Sequence, residues 1–600
     1  MQNAEKVLSI LNQKSRQHEN YVFDRIYRNL FNEDFYLNAY RKIYAKQGNM
    51  TAGVDGKTID GFNKAAIAKL IQKMRSETYY PYPVKRAYIP KKNGKMRPLG
   101  IPAFEDKLVQ EVMRQILEAI YEPVFSPNSH GFRPGKSCHT ALYQIKNTAK
   151  GSNWVIEGDI TGCFDHIDHE ILLQILAEKI GDGRFLELVR RFLKSGYFEF
   201  KQVFNSFSGS PQGGIISPIL ANIYLNKFDK FMDGLISENT LGKEKRINPE
   251  YHRLVCRRYE ANKRGDTELA RALQKEMQNL NSRDPMDKNY RRVNYVRYAD
   301  DFVIFINGDK ATAVRIKEQV ADYFKTTLNL ELNAEKTLIT NLKDKRVHFL
   351  GYEIAKSKDN TMVKVNSKGV KERSVNGTIQ LLVPSEVISK KIAPYSRYGK
   401  STAFVQRVNL PVLDMINEFN AEIRGLYNYY CLATDVSTKL NKFKHIHYFS
   451  LAKTIARKED SSVAKVIQKY GIDVPRKQGT GTRKVIGVKY QTKCGEKVLT
   501  YFNDSLSKVD KPLTSVPERF GLGFSYRSQL IIRLNADKCE MCGDEHGDIE
   551  VHHVRKLKDI ITRYKKHGET APNWVIQMAA MNRKTLVVCE QCHHKIHAGK

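Results

Sequence analysis

An α+β chain of several domains is the fold class this sequence predicts, and three observations predict it. Its 600 residues exceed what one hydrophobic core can organise, and at roughly 150 residues per domain they suggest about four units. Segments with helical apolar spacing alternate with strand–turn–strand patterns, so neither element type accounts for the whole chain. Two Cys-x-x-Cys pairs near the end, Cys539/Cys542 and Cys589/Cys592, predict a small domain knitted by metal.

In chain order, Glu5 to about Met74 carries apolar residues at helical intervals (Val7, Leu8, Leu11, then Phe23, Ile26, Tyr27, Leu30), with a Gly-rich break at Thr51 to Gly56. Thr78 to Phe104 is rich in Pro, Tyr and Lys. Within it Asn93-Gly94 signals a two-residue type I′ hairpin flanked by basic side chains. WVIEGDITGCFDHID reads as an apolar strand ending at Asp159, and VNYVRYADDFVIFIN as strand, tight turn and strand with Asp300 and Asp301 at the turn. Between them, Leu235 to Arg292 becomes a charged helical segment without a chemical motif, an insertion. Met362 to Arg407 gives no functional reading. Leu413 to Lys458 returns to long amphipathic helices, a separate helical unit, and Pro475 to Val516 loses periodicity and gains Lys, Arg, Gly and Thr, as a basic linker or small binding domain would. There are no internal repeats.

Composition narrows the partners. Lys and Arg outnumber Asp and Glu by 99 to 65, a formal +34, which a compact particle sustains most readily against a polyanion. Nucleic acid fits, through salt-sensitive phosphate contacts; an unusually basic solvated surface is the alternative. No apolar run approaches the ~20 residues of a membrane span. The opening MQNAEKVLSILNQKSRQHEN has neither a signal-peptide core nor transit-peptide bias, and the other five cysteines (Cys138, Cys163, Cys256, Cys431, Cys494) are scattered singly. A reducing cytoplasm fits both observations.

Nucleotidyl transfer needs carboxylates holding two divalent ions roughly 3.5–4 Å apart. Asp159, Asp300 and Asp301, brought to one sheet edge, supply them; a lone Asp-Asp pair is usually just a surface turn. Tyr298-Ala299-Asp300-Asp301 resembles the active-site box of reverse transcriptases, and six further segments resemble that family's motifs in order: RPLGIP from Arg97, HGFRPGKSCHTAL from His130, Asp159 with Phe164 and Asp165, SGSPQGGIISPILANIYL from Ser208, LNAEKT, and FLGY at Phe349–Tyr352. HGFRPGKS, the PQGG glycines and RGLYNYYCLATD at Arg424–Asp435 resemble the group II intron maturase branch, closest to the lactococcal type that keeps a nuclease.

That resemblance implies a right-hand polymerase: an N-terminal helical extension of the fingers over 1–78, fingers and palm over 79–380 with the helical insertion at about 235–292, a helical thumb (maturase domain X) over 381–470, a DNA-binding region over 471–530 and a ββα-metal HNH domain over 531–600. It implies Asp159, Asp300 and Asp301 as ligands of two Mg²⁺ ions, and Phe164 as the bulk that excludes a 2′-hydroxyl, unless it is a core Phe on a strand. Lys91, Lys95 and Arg97 would neutralise the incoming triphosphate, or be solvated hairpin charges. Gln212 and Gly213 would lie near the templating base pair, the glycine permitting close backbone approach. Lys336 is a candidate proton donor to pyrophosphate, or a surface lysine. Arg424, Tyr427, Asn428, Tyr429 and Tyr430 would contact RNA, although aromatics at this spacing often pack helices.

The four thiolates of Cys539, Cys542, Cys589 and Cys592 can close a tetrahedral structural Zn²⁺ site. IEVHHV, with His552 and His553, and HHKIH, with His593 and His597, then remain free for a catalytic divalent ion. This resembles HNH nucleases, with His553 as general base and His552, His593 and His597 as ligands. Where that family has Asn, this chain reads Thr585, which leaves the loop's brace unassigned; a zinc knuckle that only binds DNA is the alternative. The resemblance covers essentially the whole chain. It implies a polymerase, splicing cofactor and endonuclease acting with group II intron RNA, target DNA and dNTPs in a bacterial cytoplasm, at the nucleoid and without membrane, and it leaves a homodimer open. A reverse transcriptase of another class would lack domain X together with HNH, and a splicing-only relative would not need all three aspartates.

Overall fold

Asparagines set the starts of the first helices. Asn3 accepts from the Glu5 amide and begins α1 (Ala4–Gln17), and Asn32 accepts from Asp34 and begins α2 (Glu33–Tyr44). The computed structural model describes residues 2–598 apart from 47, 91–93, 95, 200–201, 205–212, 285–286, 360–362, 366–368, 370, 374–376, 476–480, 493–494, 513–528, 546, 558, 561, 563 and 565–570. After the Gly-rich break come the short strand β1 (Phe62–Asn63), the hairpin β2 (Val84–Pro90) and β3 (Met96–Ile101), and α3 (Phe104–Tyr121), which is buried nearly all round. The strands of the hairpin pair in register from Lys85 with Ile101 to Pro90 with Met96, and the expected turn at Asn93-Gly94 falls where 91–93 and 95 lie outside the described residues.

The central sheet follows from strict alternation. Its strands β4 (Trp154–Asp159), β5 (Arg292–Tyr298), β6 (Asp301–Asn307) and β7 (Leu338–Asn341) lie antiparallel in the order β5-β6-β4-β7. Ile156, Ile304 and Ile306 enter one large core, while Val155, Val303 and Phe305 enter another. The sheet is therefore a partition between two cores. On the first side lie α1, α2, α3 and α4 (Ser217–Asn239). The insertion forms a helical hairpin, α5 (Pro249–Lys263) and α6 (Thr267–Asn279), with a small core of its own around Leu254, Leu273 and Met277.

On the second side pack α7 (Val412–Tyr430) and α8 (Val436–Lys458). They share their core with a sheet of β8 (Gly471–Pro475), β9 (Thr482–Thr492) and β10 (Gly495–Thr500) through Val485, Ile486 and Tyr501. Residues on either side of 470 thus pack as one body. The chain ends with β11 (Ile549–His553), β12 (Thr585–Cys589) and α9 (Glu590–His597). β1 adds to the edge of β11, Phe62 facing Val551 and Asn63 facing Glu550, so the N-terminal region completes the last sheet. Among the described residues no helix is long and apolar enough to cross a membrane.

Candidate active sites

The partition sheet places the first site. Asp159 and Asp301 are register partners on β4 and β6, and Asp300 occupies the turn between β5 and β6. That turn is locked from beneath. Arg297 is fully buried, its Nη2 lies 2.6 Å from Asp229 Oδ2, its Nη1 donates to the Ala299 carbonyl at 2.8 Å, and Tyr295 also donates to Asp229 at 2.8 Å. Buried charges of this kind need every valence met. The His130 segment lies against the turn, its amide donating to Arg297 O at 2.9 Å. Only glycine fits next to it, since a Cβ on Gly131 would sit 2.3 Å from the Ala299 nitrogen.

The electrostatics follow from three carboxylates at one edge. Burial raises Asp300, with Asp159 adding to the effect and Arg97 and Lys336 opposing it. Burial, then the charges of Asp300 and Asp159, push Asp301 up to about 7. Lys336, whose side chain is exposed at the edge of the cluster, pairs through Nζ with Asp159 Oδ2 at 2.7 Å. Phe164 stands half-buried on the short helix Cys163–His166, edge-on to Phe132 at 6.4 Å, so it is not a core Phe on a strand. Gly213 has φ +110°, and a Cβ there would meet the Gly100 carbonyl at 2.5 Å; its close approach is to β3. Lys91, Lys95 and Gln212 lie outside the described residues.

Among the described residues, two groups of His, Cys, Asp or Glu have ligand atoms all within 4.8 Å of one another; one lies wholly in the C-terminal module and the other adds Asp60 to three of its histidines. One is Cys539, Cys542, Cys589 and Cys592. Burial opposes ionisation of Cys539, yet backbone amides hold it down to about 7, whereas burial and the neighbouring thiols raise Cys592. Four thiols this close cannot all ionise without a cation, and a structural zinc ion is what such a set accepts.

The other group is Asp60, His552, His593 and His597, and Asp60 was not foreseen. Its Oδ2 lies 2.8 Å from His597 Nε2, and its Oδ1 lies 3.3 Å from His552 Nδ1 and 3.4 Å from His593 Nε2. Among the described residues neither ring nitrogen of buried His552 meets hydrogen-bond geometry, Nδ1 keeping only its 3.3 Å contact with Asp60, as expected of a side chain shaped for a metal ion. His593 Nδ1 is oriented by Glu550 at 2.6 Å. His553 does not join this group. Being next along the strand it faces the other way, its Nε2 is 2.6 Å from Tyr40 Oη, and burial pushes its imidazole down to about 4. Across from it on β12 is Thr585, whose hydroxyl accepts from Arg533 at 2.9 Å; Asn582 instead ends the helix Asn573–Met581.

The tyrosines of α7 have partners within the protein. Tyr429 donates to Leu350 O at 2.8 Å, Tyr430 to Gly351 O at 3.1 Å and Tyr427 to Ser507 O at 2.8 Å, so they join the helix to the FLGY turn and to the segment after β10. Arg424 and Asn428 remain exposed on the same helix.

The reverse transcriptase (RNA-dependent DNA polymerase) family matches residues 89–242 and 268–354, the type II intron maturase family 376–513, and the AI2M/AI1M-like HNH endonuclease family 539–593. Over 615 aligned residues the chain is 40% identical to the group II intron-encoded protein LtrA of Lactococcus lactis subsp. cremoris, covering 99% of each. The chain belongs to the group II intron-encoded proteins.

Other relatives are the uncharacterized 91 kDa protein in the cob intron of Schizosaccharomyces pombe, 33% identical over 99% of this chain and 72% of that one, and the putative COX1/OXI3 intron 2 protein of Saccharomyces cerevisiae, 32% identical over 94% and 65%. This group II intron-encoded protein is an enzyme with a reverse transcriptase domain and an HNH endonuclease domain, joined by a maturase domain. The reverse transcriptase match skips 243–267, which takes in α5 of the separately packed helical hairpin. Sequence reasoning missed Arg297, although a lone Arg inside an apolar strand signals a buried partner. It missed Asp60 and Tyr40 because nothing local marks them; their partners lie about five hundred positions away.

Proposed function

We propose that Asp159, Asp300 and Asp301 hold two Mg²⁺ ions for RNA-templated DNA synthesis, and that the HNH domain nicks a DNA target whose free 3′ end primes copying of the intron RNA. The observation that carries this is the facing of Asp159 and Asp301 across neighbouring strands, with Asp300 at the turn beside them. The bound ions would activate the primer hydroxyl and steady pyrophosphate. Lys91, Lys95 and Arg97 bind the triphosphate, Phe164 excludes a 2′-hydroxyl, Gln212 and Gly213 support the template side, and Lys336 gives a proton to the departing pyrophosphate.

In the HNH domain His552, His593 and His597 hold one Mg²⁺ or similar ion, His553 takes the proton from attacking water, and zinc on the four cysteines holds the fold. The right-hand division follows: fingers extension over 1–78, fingers and palm to 380, thumb to 470, DNA-binding region to 530 and nuclease beyond. Arg424 and Asn428, exposed on the thumb helix, are the RNA contacts left by the tyrosines' internal bonds. The work is done on intron RNA and on DNA of the bacterial nucleoid.

A paired assay of the purified chain tests this: dNTP incorporation on a primed RNA template, and splicing of its flanking intron transcript at low magnesium. Both are expected to respond. Polymerisation without splicing would mean a different RNA partner, and splicing without polymerisation would overturn the metal assignment in the palm.

A further inference from the structure

The HNH site is closed by a part of the chain that belongs to the polymerase. We propose that residues 40–63 plug the nuclease: Asp60 supplies a fourth, carboxylate ligand to the ion held by His552, His593 and His597, and Tyr40 occupies the nitrogen of His553. A DNA phosphate reaches both only when this segment moves off. This rests on the three histidines being the ion-holding group.

The geometry supports a built contact. Asp60 Oδ1 accepts from the His553 amide at 2.6 Å, and its two oxygens face three imidazoles, all four ligand atoms lying within 4.8 Å of one another. The chain just after the carboxylate is fixed to the nuclease strand: the Gly61 amide donates to Val551 O at 3.1 Å, and Phe62 and Asn63 pair with Val551 and Glu550. Phe62 stacks on Tyr40 at 3.9 Å between centroids, which fixes the hydroxyl over His553 Nε2, and Lys64 pairs with Asp537 at 2.9 Å. A docking surface with no bearing on the site would not aim a carboxylate into the ligand group and a phenol onto the neighbouring imidazole.

The chemistry sets the plug against the substrate. A divalent ion of about six-fold coordination keeps about three positions beyond three histidines, and a phosphodiester must put an anionic oxygen on one of them. Asp60 presents an anionic oxygen of the same kind to the same ion. His553 can accept a proton from water only when its nitrogen is free of Tyr40. The fastening combines the buried side chains of Tyr40, Ile59 and Phe62, which share a core with Leu530 and Val551, with two paired strand residues and an ion pair, so the closed state is the resting one and target binding has to drive the opening. A strand-cutting site carried by a chain of charge +34, which binds any DNA, has reason to stay shut until the specific target engages.

The test uses the full chain, zinc-loaded, in an Asp300→Ala background that lowers ion binding at the palm. Mn²⁺ binding by calorimetry and nicking of supercoiled plasmid are measured for the parent, Asp60→Ala, Asp60→Asn, Tyr40→Phe and His593→Ala. Asp60→Ala and Asp60→Asn are expected to weaken Mn²⁺ about tenfold while raising nicking severalfold; Tyr40→Phe is expected to raise nicking with Mn²⁺ affinity unchanged. Zinc content identifies any variant that fails to fold, and the Asn variant then stands in for it. Weaker Mn²⁺ with slower nicking would make Asp60 a working ligand and overturn the plug. Unchanged Mn²⁺ affinity in both Asp60 variants would overturn the ligand, whatever the nicking. Retention of the nuclease Mn²⁺ in His593→Ala is a separate failure, that of the histidine reading itself.

Discussion

The carboxylate site of the reverse transcriptase domain and the nuclease site are opposite in charge and in construction. In the first, three carboxylates come from two adjoining hairpin-linked strands and a third strand beside them, and Lys336 lies against Asp159. In the nuclease, three imidazoles come from one strand and one helix, and Asp60, from the far end of the chain, lies among them. Each cluster has drawn in a side chain of the opposite character, because ligand groups gathered for an ion need compensation wherever burial weakens solvent. The difference is in distance along the chain. Lys336 lies just before β7, a strand of the same sheet, whereas Asp60 ties two enzymes together.

The contrast predicts separable activities, and the largest effect tests it most harshly. Asp300→Ala is expected to lower cDNA synthesis at least about 10³-fold, the scale of losing a principal electrostatic contact at the reacting centre, and to leave plasmid nicking unchanged. Measuring both on one preparation decides the matter. If nicking fell in step, the two sites would not be independent and the comparison would fail.

A second break concerns support and not chemistry. Asp229→Asn leaves the Arg297 charge buried under the turn without its carboxylate, and is expected to destabilise the chain by about 3–5 kcal/mol, seen as a lower midpoint in denaturant. Asp159→Asn, at the open edge, is expected to shift it far less. Equal shifts would mean that the buried pair under Ala299 is not what holds the turn.

Titration sharpens the palm side. Asp301 is pushed up to about 7, against an ordinary value near 4, so around neutrality an ion must displace a proton to bind. The Mg²⁺ concentration for half-maximal synthesis is therefore expected to fall as pH rises from 6 to 8, and Asp301→Asn to flatten that trend. Without metal the sign on stability is reversed. The folded state binds a proton the unfolded chain does not, so this contribution is present below about pH 4 and is lost as pH rises through about 7. A Mg²⁺ requirement independent of pH would show that Asp301 does not meet the ion.

These sites were unequally legible in the sequence, for a physical reason. Asp159, Asp300 and Asp301 sit at the ends of apolar strands whose period of two fixes which side chains share an edge, and Cys-x-x-Cys spacing is a local geometric requirement of zinc. Both were readable. The stretch after Pro475, which reads as a basic linker or small binding domain, forms a sheet in which Val485 and Ile486 are buried in a core supplied by α7 and α8 while Val498 stays exposed. The Asp60 contact depends on strand addition between segments almost five hundred residues apart. No window of sequence contains it.

The smallest prediction concerns the joint between the palm and the thumb helix. RGLYNYYCLATD invites a reading as an RNA-stacking face, but Tyr430 is buried, packs 5.1 Å from Tyr352 and donates to Gly351 O, while Tyr429 donates to Leu350 O on the same turn. A phenol that donates to a buried carbonyl contributes about 1 kcal/mol, so Tyr430→Phe is expected to lower stability by about that much in a denaturant titration, with affinity for intron RNA unchanged. Arg424→Ala is expected to do the reverse, since its exposed guanidinium touches nothing that the fold needs and would lose one phosphate contact, with a correspondingly shallower salt dependence. If Tyr430→Phe weakened RNA binding at constant stability, the tyrosines would be a recognition surface after all, and the thumb, like the nuclease, would have a face whose purpose its internal contacts conceal.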